Sequence, residues 1–355
     1  MNDTPFAPTP LFQLNLMLFL AWPAPLSFIE PIFWREGFAL RSIAPLIGVP
    51  LEARARAQTA NLPIQLTASS DLLLEQGNQQ QLLCIECKSS SFGPASSSSR
   101  QARALLACTG PYLAERIGVT AALDWKGYLL YAVGGGQEDP MRDTLQSLSQ
   151  ELHMARISTA DSGTMGIHIR IDGVYMTPDA QSRSNIPVQA LQQASVSGVR
   201  VMTLEEGEDP RPLYLIPFDP SIGVDDPFER QVLEERVRQA LTSLIGSRLD
   251  MPSFEVAMDE ILTAVTEVWS VWEDSQATKG FRNAVRAYVR KVLRQMRRLG
   301  AHIESREHHL AFTQVTPKIA RDLRRYLDSV AFRRGEIDLW SEAVQLDFSS
   351  LAKGW

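Results

Sequence analysis

Two short apolar runs, Asp71-Leu-Leu-Leu-Glu75 and Gln81-Leu-Leu-Cys-Ile-Glu-Cys-Lys88, stand between polar stretches. Each has strand length, and the Gly77-Asn78 between them is turn chemistry, so the pair predicts an antiparallel hairpin. The unbroken Leu82–Ile85 stretch reads as a strand buried on both faces. Upstream, Ser27 to Phe38 carries apolar residues near helical spacing, with Gly37 as a stop; a less regular stretch follows to Leu66. Downstream come a Ser/Gly/Pro loop (Ser89–Ser99), a helix from Arg100 to Cys108 capped by Ser99, a strand from Gly127 to Val133 and a helix from Thr144 to Met154. Gly166–Ile171 alternates as a strand does, and Leu213–Ile216 reads as another. Beyond Pro227, three-to-four spacing predicts helices over Phe228–Ile245, Phe254–Asp274 and Phe281–Leu299. A hairpin over His302–Phe312 and a helix from Val315, with Pro317 early in it, complete the pattern.

These elements suggest four segments. They are a 1–26 apolar N-terminal segment, a 27–158 α/β core, a 159–222 β-rich middle segment and a 223–355 helical, basic domain. The apolar stretch Leu11–Ile29 has no Lys or Arg before Arg35 and is broken by Pro23 and Pro25. It lacks a signal peptide's basic start, and its uninterrupted part is shorter than the ~20 residues that span a bilayer. It is expected in the core or against a partner, with no membrane association.

The chain has 355 residues, a net charge of −6 and is 45% hydrophobic, enough for a sizeable core. An acidic balance means that any nucleic-acid contact must come from a local patch. The 3 cysteines make no disulfide framework, and Cys84-x-x-Cys87 lacks the second pair of a zinc site. They read as small hydrophobes in a reducing cytoplasm.

The chemistry lies in Asp71 and Glu86-Cys87-Lys88. Strand periodicity puts Glu86 and Lys88 on one face and Cys87 on the other. Two carboxylates and the Cys87 carbonyl are hard oxygen donors suited to Mg²⁺ or Mn²⁺, which lowers the pKa of a bound water and polarises a phosphate. Lys88 would stabilise charge or, with its amine neutralised beside the metal, serve as base.

Here the chain resembles the PD-(D/E)xK nuclease superfamily. The resemblance spans about residues 27–135 and rests on SSD-LLLEQGNQQQ-LLCIECKS, with Ser70 where the family has proline. It implies a restriction-endonuclease-like core with a central mixed sheet flanked by helices, and metal-dependent hydrolysis of DNA. It also implies a glutamate on the preceding helix, for which Glu30 is preferred over Glu36, and a Gln or basic residue on the following helix, for which Gln101, Arg100 and Arg103 are available. The implied partners are DNA, an ATPase or recognition subunit, and a second copy of the chain. Bacterial restriction, anti-phage defence and mobile-element processing are the implied settings.

Lys279–Arg298 holds eight basic residues and no acidic one. Arg282, Arg286, Arg290 and Arg294 lie four apart on one expected helix face and could track phosphates. With the following hairpin and basic helix they resemble a winged-helix arrangement. The alternative is a solvated helix paired with the acidic stretches at 205–209 or 225–235. His153, His168, His308 and His309 fit no metal motif and are expected as surface or core residues. Gly134-Gly135-Gly136 lacks the rest of a P-loop or dinucleotide fingerprint. Two further readings stay open: a non-catalytic nucleic-acid-binding or assembly subunit with a relic nuclease fold, and RNA as the substrate.

Overall fold

The apolar runs fold as neighbouring strands of one sheet. The computed structural model describes residues 9–22, 29–119, 122–204, 215–218, 227–273, 275–306 and 308–329. The chain divides into two compact units, Met1–Leu213 with Val271–Asp274, and Tyr214–Ser270 with Ser275–Trp355.

The first unit contains helices α1 (Pro10–Ala21), α2 (Ile32–Arg35), α3 (Leu51–Thr59), α4 (Ser97–Leu106), α5 (Gly110–Arg116), α6 (Glu138–Met154) and α7 (Gln189–Gln192). Its strands are β1 (Ala39–Ile43), β2 (Leu46–Gly48), β3 (Thr67–Ser69), β4 (Leu72–Gln76), β5 (Gln81–Lys88), β6 (Lys126–Gly134), β7 (Asp161–Arg170), β8 (Gly173–Pro178) and β9 (Val199–Thr203). Seven of them form a mixed sheet in the order β1-β4-β5-β6-β7-β8-β9, while β2 and β3 pair separately. β1, β4 and β5 run antiparallel, β5, β6 and β7 parallel, and β8 and β9 return antiparallel. The parallel steps require crossovers, which α4 with α5 and then α6 supply.

The β4–β5 hairpin forms as its pattern predicts, turning through Gly77–Gln79 with Gln80 in the left-handed region at φ 54°. One face of the sheet carries Leu73, Leu82, Cys84, Leu129, Tyr131 and Val133 into a core shared with Leu105 and Leu106 of α4 and Leu145 and Leu148 of α6. Against β1, β4 and β5 also packs α1. Burying each such Leu stabilises the fold by about 1.5–3 kcal/mol. The N-terminal apolar run is thus a core helix. Thr9 caps it, accepting from the Phe12 N–H, and even Gln13 and Asn15 are buried. No helix among the described residues is long and apolar enough to cross a membrane.

Several expectations are corrected. The helix expected over Ser27–Phe38 is a single turn, α2; Ile29 bridges Met202 and the Glu30 N–H donates to Val201 O, so this stretch is spent on strand-like pairing with β9. The stretch read as irregular before Leu66 holds β1, β2 and α3. The 159–222 segment does not stand apart, because β7 pairs directly with β6. The cap before α4 is Ser96, not Ser99. Leu213 and Tyr214 lie outside the described residues, as does the 205–209 acidic stretch, and no strand forms at Leu215–Ile216.

The second unit contains α8 (Pro227–Gly246), β10 (Phe254–Ala257), α9 (Met258–Val265), α10 (Ser275–Arg298), β11 (His302–Ser305), β12 (His309–Thr313) and α11 (Pro317–Asp328). The helix expected over Phe254–Asp274 is instead β10 followed by α9, since Phe254 and Val256 point inward at strand period before the helical period begins. The three strands form an antiparallel sheet ordered β10-β12-β11, with Phe254 stacked on Phe312 at 4.5 Å.

Candidate active site at the end of β5

Extending the β4–β5 register one step beyond Leu72↔Ile85 sets Asp71 opposite Glu86. The pair lies where β4 begins and β5 ends, so both carboxylates sit at a sheet margin. Asp71 Oδ2 accepts the Cys87 N–H at 2.6 Å. A residue's N–H and C=O leave a strand on the same side, so the Cys87 carbonyl also points toward Asp71. Cys87 is buried, with its side chain on the opposite face from Glu86 and Lys88.

Glu86 is only 2% exposed. Its Oε1 accepts from Lys88 Nζ at 2.6 Å and from Gln101 Nε2 at 3.1 Å. The Gln101 amide also donates to Ser69 O at 2.6 Å, tying α4 to the strand before Asp71. Glu86 Oε2 is buried with no hydrogen-bond partner among the described residues. Burial, followed by the Asp71 charge, pushes the Glu86 carboxyl up to about 8, against the opposing pull of Lys88. Burial draws the Lys88 ammonium down, but Glu86 and Asp71 outweigh it, and its pKa stands above the ordinary lysine value. The two carboxylates thus hold Lys88 as an ammonium. Tyr131, beside Glu86 in the β5–β6 register, is kept neutral by its own burial and by both carboxylates.

Asp71, Glu86, the Cys87 backbone, Lys88 and Gln101 therefore meet at one point. Glu30 does not join them: its carboxylate pairs with Arg35, and it lies beside β9, four strands from β5 in the sheet order. Glu36 is also elsewhere, accepting the Gln189 and Ala190 N–H groups at the start of α7. Arg103 turns into the protein to pair with Glu151 at 2.7 Å, and Arg100 is exposed. The cysteines behave as buried thiols: Cys84 and Cys108 are both pushed up to about 12, chiefly by burial. Being three apart on a strand, Cys84 and Cys87 face opposite ways and cannot share a ligand.

On α10 the four arginines lie on the side away from the buried residues, along an arc of about 120°. Steps of four residues advance about 40° around the helix each time, so the row spirals. Arg282 is drawn to Asp259 at 3.3 Å and over the Trp269 ring, while Arg290 and Arg294 are exposed. Lys291 pairs with Glu234 at 3.2 Å, in the acidic stretch weighed as an alternative partner.

The residues present fit a hard divalent cation. Two carboxylates lie together beside the Cys87 backbone, one Glu86 oxygen is buried without a partner among the described residues, and the Asp71 charge raises the Glu86 carboxyl. No group of three or more His, Cys, Asp or Glu side chains suited to a metal occurs among the described residues. Compared with known proteins, the chain matches no family model, no curated protein and no solved structure.

Proposed function

We propose that the chain is a metal-dependent DNA endonuclease of the PD-(D/E)xK type, with Asp71, Glu86 and the Cys87 carbonyl holding Mg²⁺ or Mn²⁺. One observation carries the reading: Asp71 faces Glu86 across two paired strands while Lys88 Nζ lies 2.6 Å from Glu86. The element order supports it, with an apolar helix and an antiparallel meander leading to Glu-x-Lys, then a helix bearing Gln101 and a strand parallel to β5. The bound metal would supply an activated water and charge neutralisation at the phosphate. Asp71 and Glu86 provide the anionic seat. Lys88 places a positive charge where phosphorane charge develops. Gln101 fixes the rotamer of Glu86 through Ser69.

The second unit supports nucleic-acid binding. The order α8, β10, α9, α10, β11, β12, with β10 paired to β12 and α10 preceding the hairpin, supports a winged-helix reading. Arg290 and Arg294 on its exposed side are the phosphate-contacting candidates. The rival reading, a non-catalytic binding subunit, draws on there being no third acidic side chain at the site among the described residues. Incubation with supercoiled, linear and single-stranded DNA, with and without Mg²⁺ or Mn²⁺, separates them. Cleavage by the wild type and none by Lys88→Ala is expected; undiminished cutting by Lys88→Ala refutes the assignment, and metal-independent binding without nicking favours the rival.

A further inference from the structure

A second polar pair lies on the same sheet at the same end, and the site described above does not use it. The register Lys88↔Val133↔Gly166 runs across β5, β6 and β7, so Gly166 is two strands from Lys88, about 10 Å at ~4.8 Å per strand. Over Gly166 lies the Glu138 carboxylate: a Cβ there would fall 2.6 Å from Glu138 Oε2. A Cβ on Gly135 would enter the His168 ring. Both glycines thus leave room for one ring and one carboxylate, which meet with His168 Nε2 3.6 Å from Glu138 Oε1. Glu138 Oε2 and His168 Nε2 are both buried without a hydrogen-bond partner among the described residues.

The pair is rigidly mounted beside the Lys88 loop. Thr164 Oγ1 donates to Glu138 O at 3.0 Å, and Gln137 Oε1 accepts from the Ser91 hydroxyl at 2.8 Å. The residues after Lys88 and the start of α6 are therefore pinned together. Burial raises the Glu138 carboxyl, but the His168 ring and the N–H groups of Glu138 and Gly136 outweigh it and hold it below the ordinary value. With one ring nitrogen turned to Glu138, the other is left for an oxyanion.

We propose that His168, with Glu138 as its positioning residue, binds a non-scissile phosphate of the strand held at Asp71, Glu86 and Lys88. This rests on the nuclease reading and extends it: His168 would set how the strand lies across the sheet edge. A ~10 Å offset corresponds to about three nucleotides of duplex at ~3.4 Å rise per strand.

The test measures binding of a fluorescent 20-mer duplex by the full chain in Ca²⁺ across a salt series. Cleavage in Mg²⁺ is followed in parallel for wild type and Lys88→Ala. His168→Asn should lower the slope of log K against log salt by about 0.9, one phosphate contact, and weaken binding roughly 3–10-fold at fixed salt. Glu138→Gln and Gly135→Ala, which release or displace the ring, should give smaller losses in the same direction. A merely structural role would not change the slope. An unchanged slope in a folded His168→Asn protein, with wild-type cleavage intact and Lys88→Ala inactive, overturns this inference alone. A wild type that neither binds nor cuts DNA overturns both readings.

Discussion

Glu86→Gln is expected to abolish cleavage and yet make the metal-free protein more stable. The wild-type carboxyl titrates near 8 in the folded state, against 4.5 for the ordinary group. Between those values the folded protein holds a proton that the unfolded chain has released. Stability therefore falls as pH rises from about 4.5 and levels off above about 8. The full interval at 1.36 kcal/mol per unit would be about 5 kcal/mol. The substitution recovers only part of it, because the amide gives up the charged contact with Lys88, worth about 1.5–3 kcal/mol. In return, the amide nitrogen gives the unpartnered Oε2 position a donor next to Asp71. A net gain of ~1–2 kcal/mol at pH 8.5 follows, or roughly 2–8 °C in melting temperature for a unit of this size. The gain should vanish below pH 5. Scanning calorimetry of both proteins at pH 5, 7 and 8.5 reads it directly. Mg²⁺ should close most or all of the gap: at tenfold above a millimolar Kd it adds about 1.4 kcal/mol to the wild type and nothing to the variant. A variant less stable than wild type at pH 8.5, or a difference that does not change with pH, would refute the picture of a buried Glu86 carboxyl raised by burial and by the Asp71 charge.

Four further outcomes are expected. Asp71→Ala should lower metal-dependent cleavage at least ~100-fold while the far-ultraviolet spectrum stays unchanged, since it removes an oxygen ligand from the margin of the sheet. Gln101→Ala should lower kcat about tenfold with little change in KM, because it frees the Glu86 rotamer without touching DNA; steady-state kinetics would show the split. Arg294→Glu should weaken duplex binding and reduce its salt dependence, whereas Arg282→Ala should chiefly cost ~1 kcal/mol of stability through the lost Asp259 and Trp269 contacts, as filter binding beside urea melts can separate. Gln13→Met should raise stability by about 1 kcal/mol in the same melts, because both amide atoms of Gln13 are buried without partners among the described residues.

The part of the site built from neighbouring strands was legible in the sequence. The Leu72–Leu74 and Leu82–Ile85 runs mark strands buried on two faces, and period two alone places Glu86 and Lys88 together. Gln101 was reachable because the helix that carries it follows the second strand directly. Glu30 was not, since its position depends on pairing with Val201 of β9, which no local pattern encodes. A second non-local pairing, β7 with β6, draws residues 161–203 into the first sheet, although their spacing reads as a separate β-rich segment. The α10 row is legible as one side of a helix, but its slow spiral of about 40° per step brings Arg282 to Asp259 and leaves Arg290 and Arg294 exposed, which spacing alone does not reveal. His168 carried no motif at all. The signals that cradle it are Gly135 and Gly166, far apart in the chain and adjacent only once β6 and β7 pair.

The position of α1 has a consequence for synthesis. The twelve residues of α1, nearly all apolar, are made well before the strands that bury them, which end with β5 at Lys88, 67 residues beyond Ala21. At ~5–20 residues per second the helix waits about 3–13 s without its sheet. During that interval α1 is an uncovered hydrophobic surface open to chaperones or to other nascent chains. The strands that end its exposure are the two that carry the carboxylates, so the candidate active site takes shape in the same step that buries α1.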